Sequence, residues 1–234
     1  MLITGFPAGA FQTNCYVLAD GPGSDAVVVD PGQEAIAPLE QLLAEHRLNP
    51  VAILLTHGHL DHTWTAQPLA DEYGIPVYIH AADRPMLADP SIGIGAGLAA
   101  MLGDETFTEP GKVVEFGDRE PVTLAGITFG VDLAPGHTQG SVVLTTHVPG
   151  PDGDVTVALA GDVLFQGSIG RTDLPGGDHQ QLLTSIAERL LPLPDDTVVL
   201  PGHGPTTTIG QERATNPFLQ GLAPGSHTTE RGSK

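Results

Sequence analysis

The stretch "LLTHGHLDHTW" (residues 54–64) ends an apolar run, "VAILLT" (51–56), with three histidines and an aspartate inside six positions. Burying imidazoles and a carboxylate without partners costs several kcal/mol. The cluster therefore needs water, mutual pairing or metal. The run that precedes it is short, continuous and apolar, as expected of a strand buried on both faces.

Three further apolar runs stop in the same fashion. "GVDLAPG" (130–136) leads into His137, "VTVALAG" (155–161) into Asp162, and "TVVLPG" (197–202) into His203. Loops at one edge of a rigid sheet are where sites are normally built, and Gly58, Gly136, Gly161 and Gly202 are expected to let the backbone turn beside the inward side chains. His57, His59, Asp61, His62, His137, Asp162 and His203 are too many for one tetrahedral ion that also keeps a water. They suit two ions: His57, His59 and His137 on the first, Asp61, His62 and His203 on the second, and Asp162 bridging. Imidazole and carboxylate without thiolate suit zinc and tolerate iron or manganese. Two such ions lower the pKa of a shared water and polarise a carbonyl, which is hydrolytic machinery.

The rest of the chain is read as a single domain over residues 1–219, with pseudo-halves about 1–125 and 126–219 and a polar, disordered tail at 220–234. The formal net charge of −19 argues against nucleic acid and anionic membrane surfaces as partners. The single cysteine, Cys15, excludes an intramolecular disulfide. It is read as a small buried hydrophobe. No basic, apolar leader opens the chain and no run is long enough for a membrane helix, so a cytoplasmic protein is expected.

Strands are expected at "NCYVLAD" (14–20) and "AVVVD" (26–30), forming a hairpin, and at "PVYIH" (76–80). In the second half they are expected within "VTLAGITFGVDL" (122–133) and at "SVVLTTHV" (141–148). Helical spacing marks "IAPLEQLLAEHRL" (36–48), a segment from near Pro68 to Tyr73, and "HQQLLTSIAERLL" (179–191). Asp178 and Gln181 read as a capping box for the last. Residues 89–111 read as a long surface excursion with one short helix. Strand groups in both halves with helices outside give an α/β protein, an αββα four-layer sandwich. His46, His80, His147, His179 and His227 are assigned structural roles, and Trp64 is expected to pack its following helix onto the sheet.

At "THGHLDH" with His137, Asp162 and His203, the sequence resembles the metallo-β-lactamase superfamily over roughly residues 2–219. The resemblance implies the same sandwich and the same dinuclear assignment. The secreted lactamases with a paired-zinc site carry a cysteine where Asp162 stands, which argues against antibiotic hydrolysis. Within the superfamily, "GDVLFQGSIGRTDLPGGDHQQLLTSI" (161–186) and "PGHGPTTTIGQERATNPFL" (201–219) resemble the short, single-domain bacterial glyoxalase II branch. That branch implies a small-molecule thioester substrate of the S-lactoylglutathione type, attacked by a metal-bridging hydroxide, with His57, Asp61 and Asp162 as the catalytic set. Longer glyoxalase II enzymes have a lysine and a tyrosine where this chain has Arg171 and Asp173. Arg171 is either a substrate-binding residue or a salt-bridge partner of Asp173 or Asp178 that shapes its loop.

The segment "GRTD" is shared with persulfide dioxygenases, which hold one iron on the equivalents of His57, His137 and Asp162. A lactone or ester hydrolase of the same superfamily uses the same ligands. A noncatalytic, metal-stabilised binding module is the reading from another class.

Overall fold

Alternation along the apolar runs sets the layers. In "VVV" (27–29), Val28 joins one apolar cluster while Val27 and Val29 join another; in "ILL" (53–55), Leu54 faces opposite to Ile53 and Leu55. The computed structural model of the chain describes residues 1–99, 105–150 and 153–222, without the side chains of 96–99.

The first sheet contains β1 (Leu2–Ala8), β2 (Thr13–Ala19), β3 (Asp25–Val29), β4 (Asn49–Leu54), β5 (Val77–His80) and β6 (Val113–Phe116), side by side in that order. β1 to β3 form an antiparallel meander and β3 to β6 run parallel. Helices α1 (Ile36–His46), α2 (Leu60–Thr63) and α3 (Ala66–Tyr73) fall in the parallel crossovers, and α4 (Ser91–Ala99) follows β5.

The second sheet begins at β7 (Val122–Leu124) and continues through β8 (Ile127–Leu133), β9 (Val142–Val148) and β10 (Val155–Gly161). It is completed by β13 (Val198–Pro201) and β14 (Thr207–Thr208), in the order β14-β13-β10-β9-β8-β7. A small hairpin, β11 (Leu164–Phe165) with β12 (Ser168–Ile169), stands apart. Helices α5 (His179–Ser185) and α6 (Ile209–Thr215) belong to this half.

Three apolar layers separate the four structural ones. Leu39, Leu43 and Leu69 pack on Val28, Ile53 and Ile79 outside the first sheet. Leu182, Ile186 and Ile209 pack on Ala158, Ala160 and Val199 outside the second. Leu18, Leu54, Phe129, Leu144 and Leu159 fill the space between sheets. This is the expected αββα sandwich.

Local differences have identifiable causes. α3 starts at Ala66 rather than near Pro68, and Pro68 sits in its first turn, where a missing N–H costs nothing. Asp178 caps α5 through the Gln181 amide, but the box is not closed. The Gln181 side chain accepts from Gln139, and the Asp178 amide donates to the Gly136 carbonyl. The helix expected through 191 is α-helical to Ser185 and then widens into a π turn, Ile186–Leu190. The excursion at 89–111 carries α4, broken at Gly95 (φ 72°); its residues 100–104 lie outside the described ones. Leu222 packs against the second outer core, whereas residues 223–234 of the expected tail, His227 included, also lie outside. Among the described residues no helix is long and apolar enough to cross a membrane.

Candidate metal centre

All seven expected ligands meet where β4, β8, β10 and β13 end. His57 Nε2 lies 3.2 Å from His137 Nε2, and His59 Nδ1 lies 2.9 Å from the same atom. Asp61 Oδ2 lies 3.1 Å from His203 Nε2 and 3.6 Å from His62 Nε2. Asp162 stands between the two groups: Oδ1 is 3.3 Å from His62 Nε2, and Oδ2 is 3.6 Å from both His137 Nε2 and His203 Nε2. The histidines of the first group are buried.

Outer partners fix which nitrogen faces inward. His137 Nδ1 meets the Arg171 carbonyl at 2.8 Å, an atom that only accepts. The hydrogen is therefore on Nδ1, and the Nε2 lone pair points into the site. Thr56 Oγ1 donates to Asp30 Oδ2 at 2.6 Å, so it accepts from His57 Nδ1 at 3.2 Å and leaves His57 Nε2 bare. His62 Nδ1 meets Asp30 Oδ2 at 3.0 Å. His57 Nε2 and His137 Nε2, bare lone pairs 3.2 Å apart with no hydrogen between them, suit a cation rather than a hydrogen bond. Buried His62 Nε2 and Asp162 Oδ1 also have no hydrogen-bond partner. The residues fit a pair of divalent ions.

The electrostatics agree. Burial, reinforced by the rings of His62 and His137, pushes His57 well below the usual histidine range. Burial and His137 push His59 down to about 4. Both are neutral and free to ligate. Burial also opposes charge on His62, but the carboxylates of Asp162, Asp61 and Asp30 outweigh it and raise the ring well above its ordinary value. A proton there supplies positive charge that an ion would otherwise bring. Burial would raise Asp61 and Asp162, yet His62 leads the neighbours that hold both below the usual carboxylate range.

The polypeptide grips these loops by contacts that no local pattern announces. Asp30 accepts from the Thr56 amide at 2.8 Å as well as from its hydroxyl. Asp83, buried in the turn after β5, accepts from the amides of Gly58 (2.8 Å) and Gly140 (2.7 Å) and from the Thr138 hydroxyl (2.6 Å). One carboxylate thus ties the His57–His62 loop to the His137 loop. Burial raises Asp83, and these three donors partly offset that. Asn14 and Tyr16 of β2 donate to the Pro201 carbonyl at 3.0 and 2.8 Å, clamping the His203 loop across the sandwich. The only signal for Asp30 was an acid ending an apolar strand; Asp83, Asn14 and Tyr16 had none.

Glycine is required at 202 because a Cβ there would collide with the Asp162 carboxylate and the His62 ring. That is close approach, since only Gly136 and Gly161 of the four have positive φ. Arg171 lines the cavity above the centre, and its guanidinium forks onto Asp173 at 2.8 and 2.7 Å. Trp64 does not pack α3 onto the sheet. It follows α2, lies between Phe11 and Phe107, and forms part of the cavity wall. His80 accepts from the Ala82 amide and lies outside the cavity.

A family model described as the metallo-beta-lactamase superfamily matches residues 8–203. An uncharacterised protein of Mycobacterium tuberculosis is 53% identical over 224 residues, 95% of this chain and 100% of the relative. The hydroxyacylglutathione hydrolase GloC of Haemophilus influenzae is 40% identical over 218 residues, 91% of this chain and 95% of the relative. Among solved structures, the BLEG-1 B3 metallo-beta-lactamase has a TM-score of 0.79 at 40% identity, covering 94% and 100% of the two chains. TTHA1623, in a di-iron-bound form, has a TM-score of 0.74 at 38% identity with the same coverage.

Proposed function

The chain belongs to the metallo-β-lactamase superfamily, and from that premise we propose that it is a metal-dependent hydrolase of S-acyl thiol esters. The observation that carries this reading is the sharing of Asp162 between two ligand groups. His57, His59 and His137 would hold one ion, Asp61, His62 and His203 a second, with Asp162 bridging. Bound there, two divalent ions supply a nucleophilic water at neutral pH and polarise the carbonyl under attack. Zinc suits the donors, and iron is compatible with the di-iron relative.

The chain's own residues do the positioning. Asp61, held ionised by His62 and His203, would orient the attacking water by accepting a hydrogen bond. Asp30 and the Arg171 carbonyl orient His62 and His137 from behind. The likeness to a hydroxyacylglutathione hydrolase supports a thioester over other carbonyl substrates. The ending "PGHGPTTTIGQERATNPFL" (201–219), which resembles the hydrolase branch, supports hydrolysis over a single-iron dioxygenase on His57, His137 and Asp162. A cytoplasmic setting belongs to the same proposal, because the one cysteine is buried and unpaired and no disulfide needs an oxidising compartment.

A second reading is favoured by one observation. The likeness to a B3 metallo-beta-lactamase returns β-lactam hydrolysis as an alternative, since a strained cyclic amide presents a comparable carbonyl. The deciding experiment loads the protein with zinc or iron. It compares hydrolysis of two thioesters, S-lactoylglutathione and an uncharged apolar one, with hydrolysis of a chromogenic cephalosporin and oxygen uptake on glutathione persulfide. Thioester turnover should dominate. Oxygen uptake without hydrolysis, or lactam turnover exceeding that of every thioester offered, would replace the proposal.

A further inference from the structure

The metal-binding residues form the floor of a cavity of about 700 Å³. Its sides are Phe11, Trp64, Ile94, Phe165, Ile169 and Leu174, drawn from separate segments of the chain. Apart from the floor, charge reaches this cavity at one place. Among the described residues that line it, Arg171 is the only lysine or arginine, and its guanidinium is already bidentate to Asp173.

We infer that this cavity selects thioesters whose acyl and thiol parts are apolar and uncharged, and disfavours carriers bearing carboxylates such as glutathione. The inference rests on the hydrolase reading only for the identity of the bond cleaved; the wall chemistry stands apart from it. Arg171 and Asp173 are both exposed, so their pairing is easily exchanged and is not a lock. Exchange brings little, however. A substrate carboxylate that takes the fork displaces another carboxylate, and Asp173 is then left unpaired beside it. A carboxylate lodged elsewhere loses water against aromatic and aliphatic walls and finds only the neutral side chains of Gln33 and Ser168 in return. Uncharged apolar groups lose nothing by the same transfer and bury surface on both sides.

The chain supplies its own reporter. Trp64 is the only tryptophan in the sequence and forms part of the wall, so its fluorescence reads occupancy without turnover. Two inert thioethers of one skeleton and matched size isolate charge: N-acetyl-S-hexylglutathione, a dianion, and its neutral dicarboxamide. On the metal-loaded protein, at about 0.15 M salt to screen the distant field of the acidic chain, the dicarboxamide should bind at least about tenfold more tightly, the size of one lost charge-assisted contact. Asp173→Ala, at an exposed position that leaves the core untouched, should narrow that ratio by freeing Arg171 for the dianion. Equal affinities, or tighter binding of the dianion, would overturn the inference. Thioester turnover on the same preparation judges the hydrolase reading separately, since the affinity order stands or falls without it.

Discussion

Asp162 carries the largest burden of any single side chain, because its two oxygens face histidines of both ligand groups. Asp162→Ala should therefore reduce metal content from two equivalents towards none, whereas His203→Ala should retain the first ion; elemental analysis of purified variants measures this. A variant lacking Asp162 that kept both ions would refute the bridging role. Protonation makes a second prediction at this scale. In the metal-free protein the carboxylates of Asp162, Asp61 and Asp30 overcome burial and keep His62 protonated above the usual histidine range. A metal must displace that proton, so binding should release protons and apparent affinity should rise with pH until His62 titrates. Calorimetry in two buffers of different ionisation enthalpy reads the proton count directly. The seven candidate ligands could be brought together from the sequence because metal chemistry restricts residue type and each sits at the end of an apolar run. Asp83 could not. Its donors lie 25 to 57 residues away and are two backbone amides and a hydroxyl, which leave no mark on the sequence.

Among the elements, the long inner strands were legible because both faces are buried and the apolar run is unbroken. β1 was not read as a strand: it is an edge strand interrupted by Gly5 and Pro7, residues that weaken the pattern there. β6 lies at the other edge and has four residues. The hairpin β11–β12 has two residues per strand, too few for any periodicity, yet it carries Phe165 and Ile169 of the cavity wall. Glu212 of α6 is what holds it. That buried carboxylate accepts from the Gly167 amide (2.7 Å), the Thr207 hydroxyl (2.6 Å) and the Asn216 side chain (2.9 Å). Glu212→Ala leaves the Gly167 amide, the Asn216 side chain and the Thr207 hydroxyl without their acceptor, at a cost of about 1–3 kcal/mol for each buried group left unpaired. Glu212 hydrogen-bonds to none of the seven ligands, so metal content should stay unchanged while KM rises more than kcat falls. Loss of metal in this variant would mean that the hairpin supports the centre rather than the wall.

For the whole molecule, the four-layer plan followed from strand groups in both halves, each with outer helices. How the two sheets meet at the centre did not, because it depends on pairs far apart in sequence. The ligands are divided between the layers. His57, His59, Asp61 and His62 follow β4 of the first sheet, while His137, Asp162 and His203 follow β8, β10 and β13 of the second. Direct bonds already join the layers at this edge: the Val142 amide donates to the Thr56 carbonyl, and the Asn14 amide donates to the Gly202 carbonyl at 2.7 Å. Both groups of candidate ligands draw on both sheets, so each ion bound there would also cross-link the sandwich. Binding confined to the native state stabilises by mass action, about 4 kcal/mol when free metal exceeds its Kd a thousandfold. Chelation should therefore lower Tm by several degrees, in a single transition, and readdition of metal should restore it in a concentration-dependent way. Scanning calorimetry with and without chelator makes the measurement. If chelation removed the metal and left Tm unchanged, the edge would be held by the protein's own hydrogen bonds, and the ions would serve chemistry alone.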